Sequence, residues 1–159
     1  MTQTAGGWSL RVEVFVLSAC ADRLMFRHGT RDVPPTRNPD DVALEVAGTE
    51  PNEPGRVCHS TSWRVQAPDV LVVTYAALPD GDPHGAVPVM LEPIVAGGDS
   101  TCPRPEELTV QSVVTHAVRH LALLGREDPT IRKCVPHAAN LWDRIMDTAA
   151  RATTIADPF

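Results

Sequence analysis

The chain has 159 residues, of which 43% are hydrophobic and 21% charged, the size and composition of one folded domain rather than two cores or a disordered segment. Its net charge of −6, with the arginines and Lys133 scattered rather than gathered into a stripe, argues against a phosphate-backbone footprint, so nucleic acid is not an expected partner. The first seven residues hold no basic cluster and the apolar run at 12–20 is interrupted by Glu13, which predicts no membrane span and a cytoplasmic protein with flexible ends at 1–7 and 153–159 around a single domain at 8–152.

Trp8, Leu10, Val12, Val14 and Val16 alternate with Ser9, Arg11, Glu13 and Phe15, the period of a strand. Ala21 and Asp22 then turn the chain into a short second strand at 24–27. Between Gly29 and Gly55, Pro34, Pro35, Pro39, Pro51 and Pro54 surround a small apolar patch at 42–46. This predicts a long acidic, proline-rich surface loop at 30–55 with one small strand.

Residues 57–65 and 70–78 are separated by Gln66, Ala67, Pro68 and Asp69, a turn with proline in a preferred position, and are expected to form a hairpin. A tight turn sets His59 opposite Ala76, Thr61 opposite Thr74 and Trp63 opposite Val72 on one face, with Ser60 opposite Tyr75 on the other. Residues 87–95 are apolar but contain Pro88 and Pro93, which suits an edge strand.

The period then changes to 3.6. Pro105, Glu106 and Glu107 open a helix, Gly125 is expected to stop it, and Val110, Val113, Val114, Ala117, Leu121 and Leu124 form its buried stripe. A last helix starting at Pro136 carries a second stripe of Leu141, Trp142, Ile145, Met146 and Ala149. Strands followed by helices predict an α+β domain, a largely antiparallel or mixed sheet of about five strands covered by C-terminal helices. A Nudix-like α/β/α sandwich is the alternative, although the metal box of that family is absent.

Cys20, Cys58, Cys102 and Cys134 are isolated singles, expected to be buried, reduced thiols with no disulfide framework. Chemistry centres on the histidines. His116 and His120 lie four apart on one edge of the predicted helix, a spacing able to chelate a transition metal. The Glu of a His-Glu-x-x-His site is missing, so the expectation is no metal and no cofactor. The hairpin pairing places His59, Thr61 and Trp63 around a recess that suits a small ligand. If the helix covers that face, His116 or His120 shares the pocket.

Arg27, His28, Gly29, Thr30 and Arg31 resemble the Arg-His-Gly signature of the histidine phosphatase superfamily, in which the histidine takes a phosphoryl group and arginines clamp its oxygens. Residues 113–116 resemble that superfamily's second histidine stretch, and 60–64 its middle arginine segment; together the resemblance covers about a tenth of the chain. His59, Ser60, Thr61 and Ser62 match a single His-x-Thr-x element of two-histidine phosphoesterases, which need two. Residues 59–64, 71–75 and 115–121 are also similar to a group of small proteins from high-GC bacteria, a resemblance that implies a domain family and no activity. The expected function is a non-catalytic domain binding a small molecule or a protein partner, with His59, Thr61, Trp63, His116 and His120 as ligand-binding residues. The alternative is a phosphatase-like hydrolase using His28, His59, His116 or His120.

Overall fold

The computed structural model describes residues 7–66, 68–92, 108–135 and 139–156. Strands β1 (Ser9–Cys20) and β2 (Arg23–Val33) form a long hairpin, followed by helix α1 (Pro39–Ala47), strands β3 (Val57–Gln66), β4 (Val70–Leu78) and β5 (Val87–Pro88), and helices α2 (Val110–Glu127), α3 (Pro129–Lys133) and α4 (Ala139–Ala156). The five strands lie in the order β3-β4-β1-β2-β5. All neighbours are antiparallel except β1 and β4, which run parallel. The domain is therefore α+β with a mixed sheet.

Helices cover both faces. On one, α2 and α4 bury Phe15, Leu17, Leu24, Phe26, Ala76 and Leu78; on the other, α1 buries Val12, Val14, Val16, Tyr75 and Ala77. The central strand β1 is consequently buried from Val12 to Ser18 without alternation. This explains why its second set of side chains, Glu13 and Phe15, is not solvent-facing as a half-buried strand would have it. Contacts place α2 over β3 and β4, and α4 over β1 and β2.

The segment expected to be a loop with a small strand at 42–46 is instead helical. Asn38 accepts from the Asp40 amide, Pro39 occupies the first turn, Asp40 and Asp41 face the positive end of the helix dipole, and Gly48 closes the C-terminus in the left-handed region at φ 70°. These are cap and dipole signals, and they outweigh the β-branched Val42 and Val46. The second strand also runs on to Val33, so the Arg-His-Gly tripeptide lies mid-strand rather than at a strand end. Gly29 permits α1 to approach: a Cβ there would come within 2.8 Å of Val46 Cγ1.

Gly125 does not end α2. The helix continues to Glu127, and Gly125 is buried where α4 crosses, with room for a Cβ only 2.9 Å from Met146 Cε and 3.2 Å from the Trp142 ring. The glycine serves close helix packing. The C-terminal helix extends to Ala156, four residues into the segment expected to be a flexible tail. The helix start expected at Pro105 and the starting residue Pro136 lie outside the described residues, as do 93–95 of the expected edge strand and Cys102. Within the described part, Thr109 caps α2 through a capping box with Ser112, and β5 pairs with β2 through Met25 and Phe26. No helix among the described residues is long and apolar enough to cross a membrane.

Candidate functional site

The hairpin forms as its turn predicts, but its register changes partway. His59 faces Ala76 and Ser60 faces Tyr75, then Ser62 faces Thr74, Trp63 faces Val73 and Arg64 faces Val72, with Thr61 left over as a β-bulge. One extra residue reverses the facing of everything beyond it. Trp63 therefore turns to the α1 face, away from His59, and Arg64 turns to the α2 face. The expected pairings of Thr61 with Thr74 and of Trp63 with Val72 do not occur. Thr61 is buried and its hydroxyl donates to the Thr74 carbonyl at 3.3 Å.

The bulge brings Arg64 onto Glu13. Glu13 projects from the middle of β1 toward the α2 face and its side chain is 5% exposed. Arg64 Nη1 donates to Glu13 Oε2 at 2.6 Å and to Thr74 Oγ1 at 3.1 Å, and Thr74 Oγ1 donates to Glu13 Oε2 at 3.1 Å. His28, from β2, places Nε2 3.0 Å from Glu13 Oε1 and stacks its ring on Phe15 at a centroid distance of 4.9 Å. With its proton on Nε2, His28 donates to the carboxylate. Burial pushes the Glu13 carboxyl up, but the hydrogen bonds from His28 and Arg64 and their charges outweigh it and hold the group at about 2. Both oxygens are thereby satisfied, the condition under which a buried carboxylate stays ionised.

Beside this cluster, under the first turn of α2, lies a recess of about 240 Å³ lined by Glu13, Arg64, Gln66, Leu108, Thr109, Val110 and Val113. The α2 cap uses the Ser112 amide on Thr109 Oγ1 and the Val113 amide on the Thr109 carbonyl. Val110 and Gln111 contribute the first two helical amides, which have no intrahelical acceptor. Thr109 Oγ1 also donates to Glu92.

Farther along α2, His120 stacks on His59 at a centroid distance of 5.7 Å and an interplanar angle of 19°. His59 and His120 are thus brought together ring against ring, but Trp63, expected in the same recess, lies on the opposite face. His116 faces solvent one turn earlier. Desolvation first, and His120 second, hold both His59 and His116 below the ordinary histidine range; Arg119 adds to the effect at His116. The parallel rings of His59 and His120 aim their nitrogen lone pairs side by side rather than at one point. Among the described residues no three His, Cys, Asp or Glu side chains are grouped to hold a metal ion.

On the α1 face, Trp63 is 69% exposed and walls an open concavity of about 550 Å³ with Ser60, Thr61, Ser62, Leu71 and Val73. The structure thus divides the five expected ligand-binding residues: His59, His116 and His120 along the α2 seam, Thr61 within the bulge, and Trp63 on the opposite face.

The other residues of the Arg-His-Gly stretch are dispersed. Arg27 leaves the far side of β2 to pair with Asp80 through two 2.7 Å bonds, and Arg31 pairs with Glu45 at 3.0 Å. Cys20 and Cys134 are exposed rather than buried; Cys58 is half-buried, and burial with the nearby Asp40 carboxylate pushes its thiol up to about 11, where it is protonated and not nucleophilic at neutral pH. Glu13 and Thr74 were not among the expected site residues, and Arg64 entered only as the arginine of the phosphatase-like segment 60–64. The signal available was one charged residue, Glu13, inside the apolar run of a strand, which calls for a buried partner.

No family model matches the chain, and no curated protein matches it.

Proposed function

We propose that the chain is a non-catalytic binding domain whose ligand is a small anionic molecule, a carboxylate of a few carbons being the best fit, seated in the recess beside Glu13 and Arg64. The observation that carries this reading is the 2.6 Å contact of Arg64 with a buried carboxylate at the wall of a recess. A buried ion pair is weak as a device for stability, since apolar side chains of the same volume serve a core as well or better. A charged, strongly perturbed cluster beside a cavity is the usual mark of a functional site.

The chemistry of the recess favours an anion. Glu13 is already neutralised by Arg64 and bonded to His28, and only Nη1 of the Arg64 fork is engaged with Glu13 and Thr74. Nε and Nη2 offer the parallel donors that a carboxylate accepts. The Val110 amide and the positive end of α2 add to the same preference, opposed by the Glu92 carboxylate on Thr109. Leu108, Val110 and Val113 give the ligand's carbon atoms an apolar wall, and the volume of about 240 Å³ limits its size.

A second reading, hydrolysis, is favoured by one observation: Glu13 orients His28 as a carboxylate orients a general base. It stands behind the first because the Thr74 hydroxyl is committed to Glu13 and the Cys58 thiol faces α1.

Melting curves with acetate, malonate or inorganic phosphate test the proposal. A ligand present at a hundredfold its dissociation constant stabilises by about 2.7 kcal/mol, which raises the midpoint by several degrees in a domain of this size. The rise should be absent in Arg64→Gln. An equal rise in that variant, or none with any of the three anions, counts against the reading.

A further inference from the structure

We infer that the α2–β3 seam is an acid-sensitive latch: the stacked pair of His59 and His120 holds the helix against the edge strand when the rings are neutral and loosens it when they are protonated. This goes beyond ligand binding and does not depend on it.

The geometry is a cluster of basic groups with no acid among the described residues to compensate it. His59 and His120 meet ring to ring at 5.7 Å. The edge strand contributes His59, whose opposite number on β4 is Ala76, and the helix contributes His116, Arg119 and His120. The nearest charged residue of β3 on this face, Arg64, is already held by Glu13. Cys58 and Asp40 belong to the α1 face. Helix α4 packs on the other flank of α2 and spends Arg144 on Asp147 and on the Asp22 carbonyl at the β1–β2 turn. Among the described residues no carboxylate is one of the groups acting on His59 or His116. A first proton on the stacked pair is tolerated by its neighbour's ring face; a second sets two cations against each other beside Arg119.

The physical consequence is a linkage. Both His59 and His116 are held below their ordinary value, so the open or unfolded state takes up protons more readily than the docked one. Stability from this source is present at neutral pH and is lost as pH falls below about 6.5, the value of a free histidine. Glu13, held at about 2, remains ionised through that range, so the recess cluster is not the origin of the change. Since Val110 and Val113 of the first turn of α2 line the recess, with Leu108 just ahead of the cap, a loosened helix also alters the recess wall.

The test is a histidine titration by NMR together with amide protection in α2 and β3 of the whole chain, between pH 7.5 and 5. The His59 and His116 ring resonances should titrate below the free-histidine value, and protection in α2 should fall. Each unit of depression corresponds to about tenfold easier opening of the protonated state. His59→Phe with His120→Phe retains stacked rings without the charge and should remove most of the fall in protection. Ring titrations at or above the free value, or an unchanged fall in the double variant, would overturn the latch. If the double variant does not fold, the wild-type titration alone decides the matter.

Discussion

Arg64 Nη1 sits 2.6 Å from Glu13 Oε2 because Thr61, three residues earlier, is bulged out of the β3–β4 ladder. Without that extra residue the alternation begun at His59 would carry Arg64 to the α1 face, leave Glu13 facing an apolar helix, and bury Trp63 toward α2. The site is therefore a product of register as much as of residue type. A single irregularity in an edge strand assembles the ion pair, exposes the indole and opens the recess.

Breaking this pair should cost more than replacing it. Arg64→Ala leaves a 5% exposed carboxylate without its cation, and the expected loss is about 3–5 kcal/mol in denaturant unfolding. Glu13→Leu combined with Arg64→Leu is expected to be close to neutral, or stabilising by about 1–4 kcal/mol, while the binding of small anions is lost. A double variant as unstable as Arg64→Ala would mean that the cluster is structural.

Acid should act on the same pair in a different pH range from the histidine seam. The Glu13 carboxyl is held at about 2 against an unperturbed 4.5, so its contribution is complete above about 4.5 and is lost as pH falls toward 2. The size is on the order of 3 kcal/mol. Unfolding free energies measured from pH 6 to 3 should decline in wild type, and decline less in Glu13→Gln.

Gly125→Ala should be destabilising although alanine is the better helix former. The gain in helix propensity is about 1 kcal/mol, while the added Cβ meets Met146 Cε at 2.9 Å and the Trp142 ring at 3.2 Å, and overpacking of this kind costs about 1–3 kcal/mol. Met146→Ala in the same chain removes the nearer contact. A double-mutant cycle should therefore show favourable coupling between the two substitutions.

Two of the chain's three tryptophans should be reachable from solvent. Trp8 and Trp63 are 63% and 69% exposed and Trp142 is 2% exposed. Acrylamide should quench most of the native emission and leave a blue-shifted remainder. Trp63→Ala should remove quenchable signal with a stability change within about 0.5 kcal/mol.

Sequence patterning was informative wherever one period ran unbroken. The β3–β4 hairpin and the apolar stripes of α2 and α4 follow directly from it, except that Val110, expected to be buried, is exposed at the start of α2. It misled where two rules competed. Residues 42–46 carry β-branched side chains, but the caps at Asn38, Pro39 and Gly48 decide for a helix. Gly125 carries the usual sign of a helix stop, but the crossing of α4 uses it as a contact. The meeting of His59 with His120 was legible from turn closure and helix spacing. The pairing of Glu13 with Arg64 was not, because a bulge depends on tertiary fit and leaves no composition signal in His59-Ser60-Thr61-Ser62-Trp63. Glu13 in an apolar strand said only that some partner must exist.

The most direct test of the binding account is a ¹H–¹⁵N titration of the folded protein with acetate, malonate and phosphate, read at the Arg64 side-chain Nε–H and at the Val110 and Gln111 amides. The account predicts saturable shifts at all three positions with at least one of these anions, at a dissociation constant of about 1 mM or tighter, and their loss in Arg64→Gln. No shift at those positions at concentrations well above 1 mM, or shifts that persist unchanged in Arg64→Gln, would contradict it.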